Sequence, residues 1–179
     1  MSGLVGSGDV CLDVRAKHGR YTRALAVLAG PTGQVHSIEH RLRPIGRLTR
    51  GTILLGCGNV TLHAMVSGDG RQRPGTIDNL CRQVGLTKVN FIKLGSEDLE
   101  AALVGAFHTL LRDRPSILLE IDDAHFVRCD AARGSLIRSL TVSLGYSMYR
   151  WQKNGWEPVT HVTEGPRFHL FTARPLPRS

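Results

Sequence analysis

Two acidic residues stand where carboxylates can hold sugar hydroxyls. Asp13 ends a short apolar run, Val10-Cys11-Leu12, and Glu39 ends another, Gln34-Val35-His36-Ser37-Ile38. Between them a loop passes through Arg15, Lys17 and His18 to Gly19, and the run Tyr21 to Ala29 is rich in helix formers. Strand, loop, helix and strand form the opening unit of a nucleotide-binding α/β fold, and an acid at the end of the second strand is where such folds hold ribose. A carboxylate suits a diol because it accepts two hydrogen bonds at once. Glu39 is therefore the leading ribose candidate. Gly19 can let the backbone approach a ligand closely, or serve only as a helix-entry turn. Asp13 can accept from a ligand or cap nearby amides.

Several stretches resemble FkbM-type methyltransferases in order and spacing. Asp13 to Thr22 is similar to their D-V-G-A-N-x-G-x-Y-T motif, and Asn90 to Asp98 to D-F-I-K-x-D-V-E-G. Leu103 to Ala106 resembles L-x-G-A, Arg114 to Ile121 resembles R-P-x-x-L-x-E-I, and Gly145-Tyr146 resembles a late G-Y. The resemblance implies S-adenosylmethionine as cofactor and methyl transfer to a hydroxyl of a small molecule, sugar or lipid-linked glycan. It implies a cofactor loop built from Asp13, Ala16, Gly19 and Tyr21, with Glu39 on the ribose and Asp69 near the adenine amino group. Lys93 and Glu97 match the positions that would place the acceptor or take its proton, and His18 is another base candidate. The chain differs from the pattern at Arg15, Lys17, Gly95 and Asp98, and in a short middle between Asp69 and Thr76. Two cations in the loop work against a sulfonium unless they face solvent or meet the cofactor carboxylate. A second reading therefore stands beside the first: a degenerate, catalytically inactive relative acting in binding or regulation.

Composition narrows the class. A chain of 179 residues, 41% hydrophobic and 21% charged, fits one globular domain with a sizeable core. No apolar run reaches the ~20 residues of a membrane helix, and no secretory pattern opens the chain, so a cytoplasmic location is expected. The net charge of +8 suits an anionic partner. Its basic residues look scattered, with modest clusters at 41–50 and 71–73 and no interleaved aromatics, so a solvated surface is the favoured reading and no specific nucleic acid is expected. Cys11, Cys57, Cys81 and Cys129 show no C-x-x-C spacing, and His36, His63, His125 and His161 no ligand spacing, so no metal is assigned.

These residues need a scaffold. Residues 1–9 read as a flexible lead-in, 10–173 as one methyltransferase-like domain and 174–179 as a tail. Strands are expected near 10–14, 34–38, 59–66, 89–94, 116–121, 146–151 and 167–173. Helices are expected at 20–29, 76–84, 96–112 and 131–144, with 41–55 ambiguous because Pro44 and Gly46 interrupt the spacing of Leu42, Ile45 and Leu48. Alternation of strands and helices predicts a doubly wound, mostly parallel seven-stranded sheet with an antiparallel edge. The short middle could leave a sheet edge for a second copy to cover, giving a homodimer.

Overall fold

The computed structural model describes residues 3–54, 56–64, 76–95, 99–120, 135, 137–153, 155–161 and 168–176, the side chains of 42, 43, 53, 54, 99 and 100 excepted. Its centre is a mixed sheet. β1 (Val10–Val14), β2 (Gln34–Glu39), β3 (Val60–Ala64), β4 (Phe91–Leu94) and β5 (Ser116–Glu120) run parallel. β6 (Ser147–Gln152), β7 (Gly155–Pro158) and β8 (Phe168–Thr172) add an antiparallel end. The spatial order is β3-β2-β1-β4-β5-β8-β6-β7, so the topological switch falls between β1 and β4. Helices cover both faces, giving the expected doubly wound α/β fold. α1 (Arg20–Ala29) packs Leu25, Ala26 and Ala29 on one face with Cys11, Val35, Phe91 and Leu118. α3 (Ile77–Gln83), α4 (Leu99–Val104) and α5 (Phe107–Asp113) bury Ile77, Cys81, Leu103, Ala106 and Leu110 against the other.

Three elements differ from the sequence expectation. Residues 41–55 hold a helix, α2 (Leu42–Leu54), because Pro44 sits in its first turn, where a missing N–H removes no helical bond. The single helix expected at 96–112 is two. A Cβ on Gly105 would lie 2.9 Å from the Thr76 Cβ, so the chain turns there to pack on α3. The break is bonded on both sides: the Gly105 carbonyl accepts from Asp78 N, and the Asp78 carboxylate caps the amides of His108 and Thr109 at 2.9 Å. Leu111, on α5 beyond the break, is half exposed. The eighth strand, β7, forms a hairpin with β6, closed by Trp151 and Trp156 at directly opposed positions with rings 5.2 Å apart.

The ends of the chain are tied down where they are described. Val5 is buried against α1, the Gly8 amide donates to the Ala29 carbonyl, and Leu176 N donates to Tyr149 Oη. Among the described residues no helix is long and apolar enough to cross a membrane, and no cluster of metal-ligating side chains occurs.

Buried histidines set a pH dependence. His36 stacks on His63 with ring nitrogens 2.9 Å apart, and burial plus that neighbour push its pKa down to about 4. His169 is fully buried on β8; burial and the cation of Arg150 lower it to about 4. The unfolded chain takes these protons near pH 6.5 and the native chain does not. Stability is therefore complete above pH 6.5 and falls as pH drops toward 4, by about 1.4 kcal/mol per pH unit for each histidine. Urea unfolding from pH 7 to 5 should show this slope. The ring nitrogens of His169 have no hydrogen-bond partner among the described residues, so His169→Leu should remove one proton's worth of it.

Candidate functional site

The site grows from the carboxyl ends of β1, β2 and β4, where open α/β sheets bind ligands. Parallel pairing sets Ser37, Asp13 and Lys93 side by side across β2, β1 and β4. Lys93 pairs with Leu118, so Glu120 lies two residues further along β5 on the same face. Four polar side chains thus form a row beneath α1. Ser37 Oγ donates to Thr22 Oγ1 at 2.8 Å, and Thr22 Oγ1 donates to Asp13 Oδ2 at 2.7 Å. Lys93 Nζ lies 3.7 Å from Asp13 Oδ1 and 3.6 Å from Glu120 Oε2. The Tyr21 ring covers the ammonium at 4.6 Å and meets Phe168 edge-on. Lys93 is 2% exposed and Asp13 not at all. Burial lifts the Asp13 carboxyl above its usual range, with Lys93 and Thr22 pulling the other way. This row is a floor: two carboxylates share one ammonium, and Asp13 Oδ1 accepts no hydrogen bond among the described residues.

Glu39 closes β2 and is 1% exposed. Its Oε2 accepts from Lys17 N at 2.8 Å, and Oε1 accepts from the amides of His40 and Arg41 at 2.9 Å each. The loop from Arg15 to Gly19 is folded onto this acid, and the amides of Arg15 and Ala16 also donate to the Ile38 carbonyl. Ala16 is buried beneath it. Gly19 opens α1 with φ 77°, and a Cβ there would lie 2.4 Å from Leu48 Cδ1, so α2 seats a leucine on this glycine.

Arg15 and Lys17 also sit in the left-handed region, at φ 62° and 50°. Together with Gly19 they make three alternating left-handed residues, a backbone that glycine and asparagine enter more cheaply than arginine or lysine. Arg15 begins beside Gly95, where a Cβ would be 3.4 Å from its own. Its guanidinium ends on His40 Nε2. The side chain therefore lies across the strand ends from β4 to β2, and Gly95 provides the room at its base.

The structure thus brings Asp13, Ala16, Gly19, Tyr21, Glu39 and Lys93 to one end of the sheet. Asp69 and Glu97 lie outside the described residues. Sequence reasoning did not single out Thr22, Ser37, His40 or Glu120 for the site. For Glu120 a signal existed: it closes an apolar run as Asp13 closes Val10-Cys11-Leu12. The residues present suit S-adenosylmethionine in the acid on β2, the tight loop and the position at the switch. The Arg15 arm runs between Gly95 and His40 at these same strand ends. Arg15→Gly should stabilise the fold by about 1 kcal/mol by relieving the left-handed strain. It should also tighten cofactor binding, because a cationic arm that competes for these strand ends is removed. Thermal melts and calorimetry check both, with Lys17→Asn expected to move stability alone.

Comparison with known proteins places this geometry. No protein-family model matches the chain, and no curated protein is similar to it in sequence. Solved structures do match. An rRNA methylase from Streptococcus thermophilus aligns with TM-score 0.61 and 14% identity over 95% of this chain and 89% of its own. Fibrillarin from Aeropyrum pernix, solved with natively bound S-adenosyl-L-methionine, gives 0.63 and 16% over 94% and 68%. A SAM-dependent O-methyltransferase from Thermotoga maritima gives 0.62 and 15% over 99% and 64%. The resemblance to the FkbM family is corrected by these findings. The matches range over methyltransferases of several kinds, and the short motifs mark strand ends and loop turns that the general fold requires. The chain has the single-domain, doubly wound, mostly parallel fold of class I S-adenosylmethionine-dependent methyltransferases.

Proposed function

We propose that this protein is an S-adenosylmethionine-dependent methyltransferase acting on a hydroxyl of a small molecule, sugar or lipid-linked glycan. The observation that supports it most is Glu39, fixed at the end of β2 by three backbone amides beside the topological switch. Oε2 has one acceptor position beyond the Lys17 bond, and because Glu39 is 1% exposed a ribose hydroxyl reaches it when the loop from Arg15 to Gly19 shifts. The cofactor, when bound, supplies a methyl group activated by a sulfonium. Gly19 and Ala16 keep the loop compact beside it. The Asp13–Lys93–Glu120 floor holds the ends of β1, β4 and β5 in fixed relation, which is what in-line transfer demands of a site. In this reading Lys93 acts by positioning. Asp69 and Glu97 keep the roles assigned from sequence, at the adenine and at the acceptor. A cytoplasmic location and a homodimer paired through a sheet edge belong to the same proposal.

A second reading, an inactive binding protein on the same fold, is favoured by one observation: the Arg15 arm bridging Gly95 and His40. Turnover separates the two. Release of S-adenosylhomocysteine by the wild type in the presence of hydroxyl acceptors supports the enzyme. Release only after Arg15→Gly supports the inactive reading. Release by neither, from folded protein, excludes the enzyme for those acceptors.

A further inference from the structure

The charge of this chain is not spread evenly. Residues 14–64 hold eight Lys and Arg and a single acid, Glu39; the rest of the chain holds the other 15 basic residues against 14 acids. Almost the whole net charge of +8 therefore belongs to the loop after β1, to α1 and to α2. The one acid is buried and bonded to backbone amides, so it offers no neutralising charge at the surface.

The fold gathers these cations beside the crevice. Leu48 of α2 sits on Gly19, Arg47 Nη1 lies 3.4 Å from His18 Nε2, and Arg23 Nη1 donates to the His18 carbonyl at 3.0 Å. The start of α1 and the middle of α2 are thus neighbours. Lys17, Arg20, Arg41, Arg47 and Arg50 are exposed around them.

We infer that this face docks an RNA strand through its phosphates. Seven of the eight cations are arginines, whose planar forks bind phosphate oxygens in pairs. A lipid surface would call for aromatic or large apolar side chains among the cations. Among the described side chains the stretch has one Phe, Trp or Tyr, Tyr21, half-buried against Phe168; Leu48 of α2 points into the core, and the exposed Val27 on α1 is too small a patch to seat a membrane surface. Phosphates on this face would bring a nucleotide to the mouth of the crevice at the carboxyl ends of the strands. Resting on the methyltransferase reading, the accepting sugar hydroxyl is then a ribose 2′-hydroxyl, which DNA lacks.

The test is fluorescence anisotropy of the full chain with a labelled single-stranded RNA. Samples are wild type, Arg47→Glu/Arg50→Glu, and Arg82→Glu on α3 as a control away from the patch. Each is checked for folding by circular dichroism, and calorimetry with S-adenosylhomocysteine runs on the same samples. Wild type should bind, with log K falling against log salt at a slope of about −3 to −4, as five exposed cations imply at ~0.7 per phosphate. The double variant should bind at least tenfold more weakly and the control within twofold of wild type. If the double variant misfolds, Arg47→Gln/Arg50→Gln takes its place. Absence of binding in 50 mM salt, equal weakening by the control, or stronger binding to phosphatidylserine vesicles than to RNA would each overturn the docking face. Cofactor binding without RNA binding overturns this inference alone. RNA binding without cofactor binding leaves the docking face and removes the methyltransferase reading.

Discussion

Replacing Lys93 by methionine is expected to destabilise the fold by about 3–5 kcal/mol, the effect of breaking a buried ion pair from one side. The ammonium is the cation set between Asp13 and Glu120, and Asp13 is fully buried. Without Lys93, Asp13 retains the Thr22 hydroxyl on one oxygen and nothing described on the other. Its carboxyl would then rise further above its usual range, because the cation that favours the charged form is gone. The loss is therefore largest at alkaline pH and shrinks as pH falls, the reverse of the histidine slope. The triple change Asp13→Asn, Lys93→Met and Glu120→Gln should recover much of the loss, because it removes the buried charges together. Urea unfolding of the single and triple variants at pH 6 and 8 measures both effects. A single variant as stable as wild type would show that the row is not a charge network.

Glu39→Ala is expected to act on stability and on binding together. Three amides lose a charged acceptor, each such bond contributing about 1.5–3 kcal/mol, although amides of a surface loop recover part of this from water. A net loss of about 2–3 kcal/mol follows. The loop from Arg15 to Gly19 should loosen first, since the Lys17 amide ties it to the Glu39 side chain. Faster hydrogen exchange confined to the amides of Lys17, His40 and Arg41 would identify that loss. Cofactor affinity should fall by a hundredfold or more, because the ribose partner and the loop's shape are lost in one step.

Much of this organisation is legible in the chain itself. Asp13 and Glu39 announce strand ends because each carboxylate closes an apolar run too short for a helix. Gly30 stops α1 as expected, with φ 64°. What the chain does not display are effects that depend on packing. Nothing local says that Gly105 must lie on Thr76, so the expected long helix breaks unannounced. β7 is four residues carrying both a Gly and a Pro, and it exists because Trp156 meets Trp151 across the hairpin. Arg15 and Gly95 look like two separate departures from a motif, yet they are one arrangement. A Cβ at 95 would stand in contact with the Arg15 side chain, so the two positions are neighbours in the fold. The basic residues look scattered for the same reason: only the seating of Leu48 on Gly19 brings α2 against the loop after β1. The site was thus readable in its acids and hidden in its cations.

The central claim is that the crevice at the ends of β1, β2 and β4 holds S-adenosylmethionine through Glu39. Isothermal calorimetry with S-adenosylmethionine and S-adenosylhomocysteine, on wild type and Glu39→Ala, tests it most directly. Micromolar binding by the wild type that disappears in the folded variant is the predicted result. No heat from folded wild type at millimolar cofactor, or equal binding by both proteins, would contradict it.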